Sequence, residues 1–495
     1  MELHDLTIRE LRARLEARDV SSAEVTEHIL RRIEALDKQL GAYLTVTADA
    51  ALAAAKAADD ARARGEAVHP LAGIPGSLKD NICTCGVRTT AGSRVLENWV
   101  PPYDATVVER LKAAGAPILG KTNLDEFAMG SSTETSAFQT TRNPWNRERV
   151  PGGSSGGAAA SVAAGMAYWA LGSDTGGSIR QPAAFCGVVG MKPTYGLISR
   201  YGLIAMASSL DQIGPIGREV ADVAELLNVV AGPDPKDSTC FPEPVPDYTA
   251  ALRAEAKGLR IGVPKEFFGA GVAAEVQEAV KKAIKAMEDA GAEVREVSLP
   301  HVDYALSVYA IVMAAEASSN LARFDGVRYG VRVEAPDLPT QMARTRALFG
   351  EEVKRRIVLG TYVRGKKVLD KYYLPAAKVR TILTREFAAV FRDVDVLMTP
   401  ATPTTAFELG RKARSPLKAY AADICTLPAN LAGLPALAMP CGVGADGLPI
   451  ALQIIGPAFG EAKVLQAAYT YEQLAWPTGA GRAWRAGKEV DVDVR

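Results

Sequence analysis

Residues 151–180 read PGGSSGGAAASVAAGMAYWALGSDTGGSIR, with eight glycines and five serines in thirty positions and no charged residue between Arg149 and Asp174. Glycine tolerates φ > 0 and lets a backbone come close to another group. A flexible Gly/Ser linker does not run straight into alanine-rich and aromatic sequence of this kind. A phosphate loop needs a lysine after its last glycine, and none follows Gly156-Gly157. The apolar part is mostly alanine broken by glycine and serine, too thin for a membrane span. The stretch therefore reads as loop, short helix and buried strand (166–171), leading into a second glycine turn at 174–180. Successive N–H groups in such a turn can cradle an oxyanion, and Ser178 stands where a helix can begin. Glycine–serine clusters by themselves leave a structural and a catalytic role equally open.

The whole chain bounds what that turn can serve. Its 495 residues are 48% hydrophobic and 23% charged, the profile of a globular protein with a large core. Lys+Arg and Asp+Glu number 57 each, so no global field favours nucleic acid or an anionic membrane. An RNA-handling role would need a partner or a local patch. Six cysteines without a C-x-x-C spacing fit reduced cytosolic thiols, and Cys83 and Cys85 read as incidental. The amino terminus, MELHDLTIREL, is charged and amphipathic, unlike a signal peptide, and a cytoplasmic location is expected.

Pattern along the chain predicts an α/β protein. The first seventy residues read as helical, with capping-box spacing at Ser21 and Glu24 and Val25, Ile29, Ile33 and Leu36 at helical period. Residues 71–82 read as a strand or turn entering the interior. A helix on Val107, Val108 and Leu111 ends at Gly115 before a strand at 117–120. Further strands are expected at 188–191, 203–206, 260–263, 293–297, 394–398, 434–439 and 449–455. Residues 301–391 read as mostly helical, and 461–473 as a closing helix. Strands at both ends of the chain point to one large mixed sheet.

A serine hydrolase normally uses a histidine base. His4, His28, His69 and His301 all lie away from the two clusters in sequence. A lysine can replace histidine if burial makes its neutral amine available. Lys79, after Ile74, Pro75 and Leu78, is the candidate, although most lysines are solvated.

Gly152-Gly153-Ser154-Ser155-Gly156-Gly157 and the run Gly172-Ser173-Asp174-Thr175-Gly176-Gly177-Ser178-Ile179-Arg180-Gln181-Pro182-Ala183 resemble the amidase-signature family. Lys79-Asp80-Asn81-Ile82, Asp125-Glu126-Phe127-Ala128-Met129-Gly130 and Asn430-Leu431-Ala432-Gly433-Leu434-Pro435 support the resemblance, which extends from about Leu6 to about Trp476. Within the family, the chain is similar to glutaminase subunits of tRNA-dependent amidotransferases. The resemblance implies a large mixed central sheet covered by helices on both faces. It also implies a helical segment at 1–65 packed on a catalytic domain at 66–485, with a helical insertion at about 300–392.

The same resemblance implies a Ser–cis-Ser–Lys triad. Ser178 would be the nucleophile, Ser154 the bridging serine and Lys79 the base, with Thr175, Gly176, Gly177 and Ser178 donating to the oxyanion. For glutamine it implies Asp423 at the α-ammonium, Arg356 at the α-carboxylate, and Tyr309 and Met129 on the pocket wall. Arg355 is the alternative to Arg356. The plain reading of Asp423 and Arg356 is a surface pair of little energetic worth.

No cofactor is implied in this chain. ATP and Mg are expected on a partner, the amidotransferase's B subunit, which with its C subunit would complete a heterotrimer. That partner would amidate misacylated Glu-tRNA(Gln) or Asp-tRNA(Asn) and supply most of the tRNA contact; no membrane is involved. Thr135, Gln139 and Ala310 depart from the family pattern near the pocket. A stand-alone amidase acting on a small amide and a scaffold protein with structural serines are the competing readings.

Overall fold

Eleven strands form one sheet in the computed structural model, which describes residues 2–411 and 420–476. In chain order they are β1 (Tyr43–Val46), β2 (Gly76–Lys79), β3 (Ile118–Thr122), β4 (Trp169–Asp174), β5 (Val189–Lys192) and β6 (Gln212–Gly217). The later ones are β7 (Arg260–Pro264), β8 (Glu293–Val297), β9 (Val396–Pro400), β10 (Ala436–Val443) and β11 (Pro449–Ile455). They lie in the order β1-β3-β2-β4-β6-β5-β10-β11-β9-β7-β8, so segments from both ends of the chain complete one sheet, as expected. Parallel pairs (β3–β2–β4 and β9–β7–β8) flank an antiparallel middle.

Helices cover both faces. Gly156–Ala163 and Arg180–Cys186 pack on one, and Val220–Val230, Ala274–Asp289 and Glu461–Ala475 on the other. The central strands are consequently buried on both sides, which explains their lack of polar alternation. A second apolar cluster joins Phe127 and Met129 to the helices Ala305–Asn320, Glu351–Val363 and Tyr373–Val390. The stretch Val302–Arg323 has the length and hydropathy of a membrane span, but most of it is buried in this second cluster.

Two local expectations fail. The first seventy residues are not wholly helical, because Tyr43–Val46 forms edge strand β1 against β3. The capping box at Ser21 and Glu24 does start the helix Ser22–Leu40, each residue bonding the other's backbone. Residues 203–206 are not a strand either; Leu203 makes only an isolated bridge to Ile82. The strand in that region is β6, QIGPIG, whose glycines and proline are unfavourable inside a strand and gave it no strand pattern. Gly214 belongs there because any side chain would strike the Met191 carbonyl of the neighbouring segment. The far end of the predicted 66–485 domain, 477–485, lies outside the described residues.

Candidate active site

The two glycine–serine turns of residues 151–180 meet at the ends of β2 and β4. Ser155 N–H donates to the Ser178 carbonyl at 3.1 Å. Gln181 Oε1 accepts from Gly153 N–H at 2.8 Å. Gly153 is pressed so close to Asp125 and the Ser132 amide that a Cβ would lie 2.2 Å from Asp125 Oδ2. The Gly153–Ser154 peptide bond is cis. Gly177, at φ +140°, lies against Thr426, whose hydroxyl donates to the Gly176 carbonyl at 2.6 Å.

Lys79 ends β2 and is fully buried. Its Nζ lies 2.6 Å from Ser154 Oγ, 2.9 Å from Ser173 Oγ and 3.1 Å from the Ser173 carbonyl. A neutral amine has two N–H groups and one lone pair. With both N–H groups donated to Ser173, the lone pair is left for the Ser154 hydroxyl proton. Asn81 also donates to Ser173 Oγ at 2.9 Å, which keeps that hydroxyl accepting. Burial pulls the Lys79 pKa down to about 7, overriding the more distant Asp125, Asp174 and Asp211.

A control lies on the next strand. Lys121, on β3, is equally buried, but its Nζ is 3.3 Å from Asp80 Oδ1 and donates to the Ile82 carbonyl and Thr89. Burial lowers its pKa too, but the Asp80 carboxylate supports the charged form. Lys79 contacts only neutral oxygens, so of the two buried lysines it is the one without a carboxylate within contact distance.

Asp174 holds the turn that carries Ser178. It accepts from Gly177 N–H at 2.8 Å, Ile179 N–H at 3.2 Å and the Arg180 guanidinium at 3.0 Å. Burial opposes its ionisation, but Arg180 and Lys192 hold it well below the usual carboxylate range. Arg180 reaches on to Gln453, Asn430 and the Thr426 carbonyl, so the turn is bolted to a distant part of the chain. Gly177 N–H is thereby committed to Asp174. Among the described residues, the N–H groups of Thr175, Gly176 and Ser178 have no protein acceptor, so three of the four expected donors are open to a ligand. Thr175 is fixed by its hydroxyl, which donates to Asp211 at 2.7 Å.

Ser178 is 8% exposed and opens into a small cavity of about 60 Å³. Met129, Thr135 and Tyr309 line it, together with Glu352, Arg356, Tyr420 and Asp423. Arg356 is buried there, whereas Arg355 points to the exposed rim and pairs with Glu352. The cavity thus brings a guanidinium and a carboxylate, Asp423, to the same space as Ser178. Thr135 sits in the wall with its hydroxyl on Asp125 at 2.9 Å. Gln139 instead donates to the Tyr43 carbonyl on β1, and neither it nor Ala310 lines the cavity.

The residues that sequence reasoning missed are Ser173, Asn81, Glu352, Tyr420 and Thr426. Ser173 was within reach, because it lies between the two glycine turns and precedes Asp174 on β4. The others depend on contacts between segments far apart in the chain.

The amidase family profile matches residues 24–465. The chain is 61% identical over 474 residues to the A subunit of the glutamyl-tRNA(Gln) amidotransferase of Moorella thermoacetica, covering 96% of this chain and 97% of that protein. It is 57% identical, again over 474 residues, to the same subunit of Heliobacterium modesticaldum, covering 95% and 96%. Among solved structures, the corresponding subunit of Thermotoga maritima superposes with a TM-score of 0.78 at 42% identity, covering 96% and 95%. A peptide amidase from Stenotrophomonas maltophilia superposes with 0.79 at 33% identity, covering 95% and 97%.

Proposed function

Because this chain belongs to the amidase family, we propose that it hydrolyses glutamine as the glutaminase subunit of a tRNA-dependent amidotransferase. The observation that carries the substrate is the cavity beside Ser178, where Arg356 and Asp423 match the two charges of a zwitterionic amino acid. Near-full-length similarity to amidotransferase subunits from two organisms supports the role in a complex.

In the reaction, Ser178 Oγ attacks the side-chain amide carbon. Its proton passes to Ser154 Oγ as the Ser154 proton moves to Lys79 Nζ. Thr175, Gly176 and Ser178 N–H groups meet the oxyanion, and Gly177, bonded to Asp174, holds the turn that carries them. The C–N bond then breaks, the proton returns through Ser154 to the leaving nitrogen, and ammonia departs. Water attacks the resulting γ-glutamyl ester by the same relay, releasing glutamate and restoring Ser178. Arg356 takes the α-carboxylate in a fork, Asp423 takes the α-ammonium, and Tyr309 and Met129 confine the side chain.

The ammonia goes to a partner that uses ATP and Mg to activate misacylated Glu-tRNA(Gln) or Asp-tRNA(Asn), in a cytoplasmic heterotrimer with the B and C subunits. The chain's balanced charge suits tRNA binding centred on that partner. A stand-alone amidase is the alternative, favoured by the likeness to the peptide amidase and other solved amidases. Co-purification from native lysate, followed by an assay of glutamine-dependent amidation of misacylated tRNA, separates the two. Partner subunits and amidated tRNA are expected; a lone chain hydrolysing unrelated amides would overturn the assignment.

A further inference from the structure

Glu352 lines the cavity, yet the chemistry at Ser178 gives it no task. It sits one helical turn before Arg356 on Glu351–Val363. Its Oε1 accepts from Arg356 Nε at 2.8 Å and from the Tyr420 hydroxyl at 2.5 Å. Its Oε2 accepts from Arg355 at the rim. Burial opposes its ionisation, but Arg356 and the Tyr420 hydroxyl outweigh burial and keep it a carboxylate.

An exposed pair four residues apart on a helix contributes only a few tenths of a kcal/mol. This pair is different, because Arg356 is enclosed. Its Nη1 lies 3.5 Å from Met313 Sδ, and its guanidinium carbon sits 5.6 Å from the centre of the Tyr420 ring. A guanidinium presents its donors in a rigid planar fork. With Nε tied to Glu352, the Nη1–Nη2 end is the edge left for another carboxylate, the geometry of a bidentate contact. The second contact of Glu352 reaches across the cavity, because Tyr420 directly precedes the turn Ala421–Asp423. One carboxylate therefore joins the helix bearing Arg356 to the segment bearing Asp423. A ligand whose carboxylate and ammonium share one carbon requires that span to be fixed.

We propose that Glu352, acting through Arg356 and Tyr420, is a positioning residue that sets selectivity for α-amino acids over other small amides. The inference rests on the glutamine reading above. Its test compares glutamine with 4-aminobutyramide, which keeps the reacting amide and amine but lacks the α-carboxylate. The variants are Glu352→Gln and Tyr420→Phe, the second leaving every charge in place.

In Glu352→Gln, the preference for glutamine, as a ratio of kcat/KM values, is expected to fall about tenfold, carried by KM rather than kcat. Tyr420→Phe is expected to shift it in the same direction by a smaller factor. Equal losses on both substrates, or a loss carried by kcat, would mean that Glu352 only supports the fold, and would overturn the proposal. A wild type that prefers glutamine while both variants keep that preference would overturn the proposal alone. A wild type with no preference would overturn the glutamine reading and this inference with it.

Discussion

The cavity has a floor and a wall of different construction. The floor, Lys79, Ser154, Ser173 and Asp174, hangs from the ends of β2 and β4 and is almost entirely buried. Its hydrogen bonds run between short side chains and backbone, and its one strong charge, Asp174, is answered by Arg180. The wall, Tyr309, Glu352, Arg356 and Asp423, stands on helices packed in the second apolar cluster and on a short turn, Ala421–Asp423, that packs outside it. Its charges face the cavity. A rigid, neutral-lined floor suits a reaction shared across many amides, while a charged wall on separate elements suits the choice among them.

Perturbing the floor should therefore abolish turnover of every amide, and perturbing the wall should change which amide is used. The largest effect is expected at Lys79→Arg, which keeps a cation but supplies no neutral amine at neutral pH. Turnover of glutamine and of 4-aminobutyramide should each fall by about 10²–10⁴-fold. Appreciable residual activity would remove Lys79 as base.

A smaller and selective effect is expected at Asp423→Asn. Discrimination between glutamine and glutaramic acid, which lacks the α-amino group, should fall by about ten- to a hundredfold. Parallel losses on the two substrates would take Asp423 out of the ammonium site. The smallest effect is the pH profile. A lysine can act as a base only when neutral, and burial brings the Lys79 pKa to about 7. Wild-type kcat/KM should drop as pH falls through that region and level off above it. A flat acid limb down to pH 5 would contradict a lysine base.

The floor left marks in the sequence and the wall almost none, for a physical reason. Ser154 and Ser178 fall in one stretch whose glycines announce close backbone approach, and the distance of the four histidines from it directed attention to Lys79, but the stretch alone left a structural role open and only the family resemblance gave its two serines separate roles. One mixed sheet built from both ends of the chain followed from the strand pattern, but its strand order did not, and neither β1 nor β6, with Gly214 and Pro215 in a central strand, was among the expected strands. There, packing overrides local preference. Arg356 and Asp423 lie far from the stretch and from each other, so no local spacing marks them; only the family resemblance pointed to them. Glu352 carried a weak signal, its four-residue spacing from Arg356. That spacing is common on solvated helices, so the meeting with Tyr420 could not be read from it.

Covalent labelling tests the central claim most directly. The protein, within its purified complex, is incubated with a glutamine-derived diazoketone electrophile and the modified peptide is mapped by mass spectrometry. A single glutamine-protectable adduct on Ser178, absent from Ser178→Ala, is the predicted result. An adduct on another residue, or one that survives in Ser178→Ala, would contradict the account.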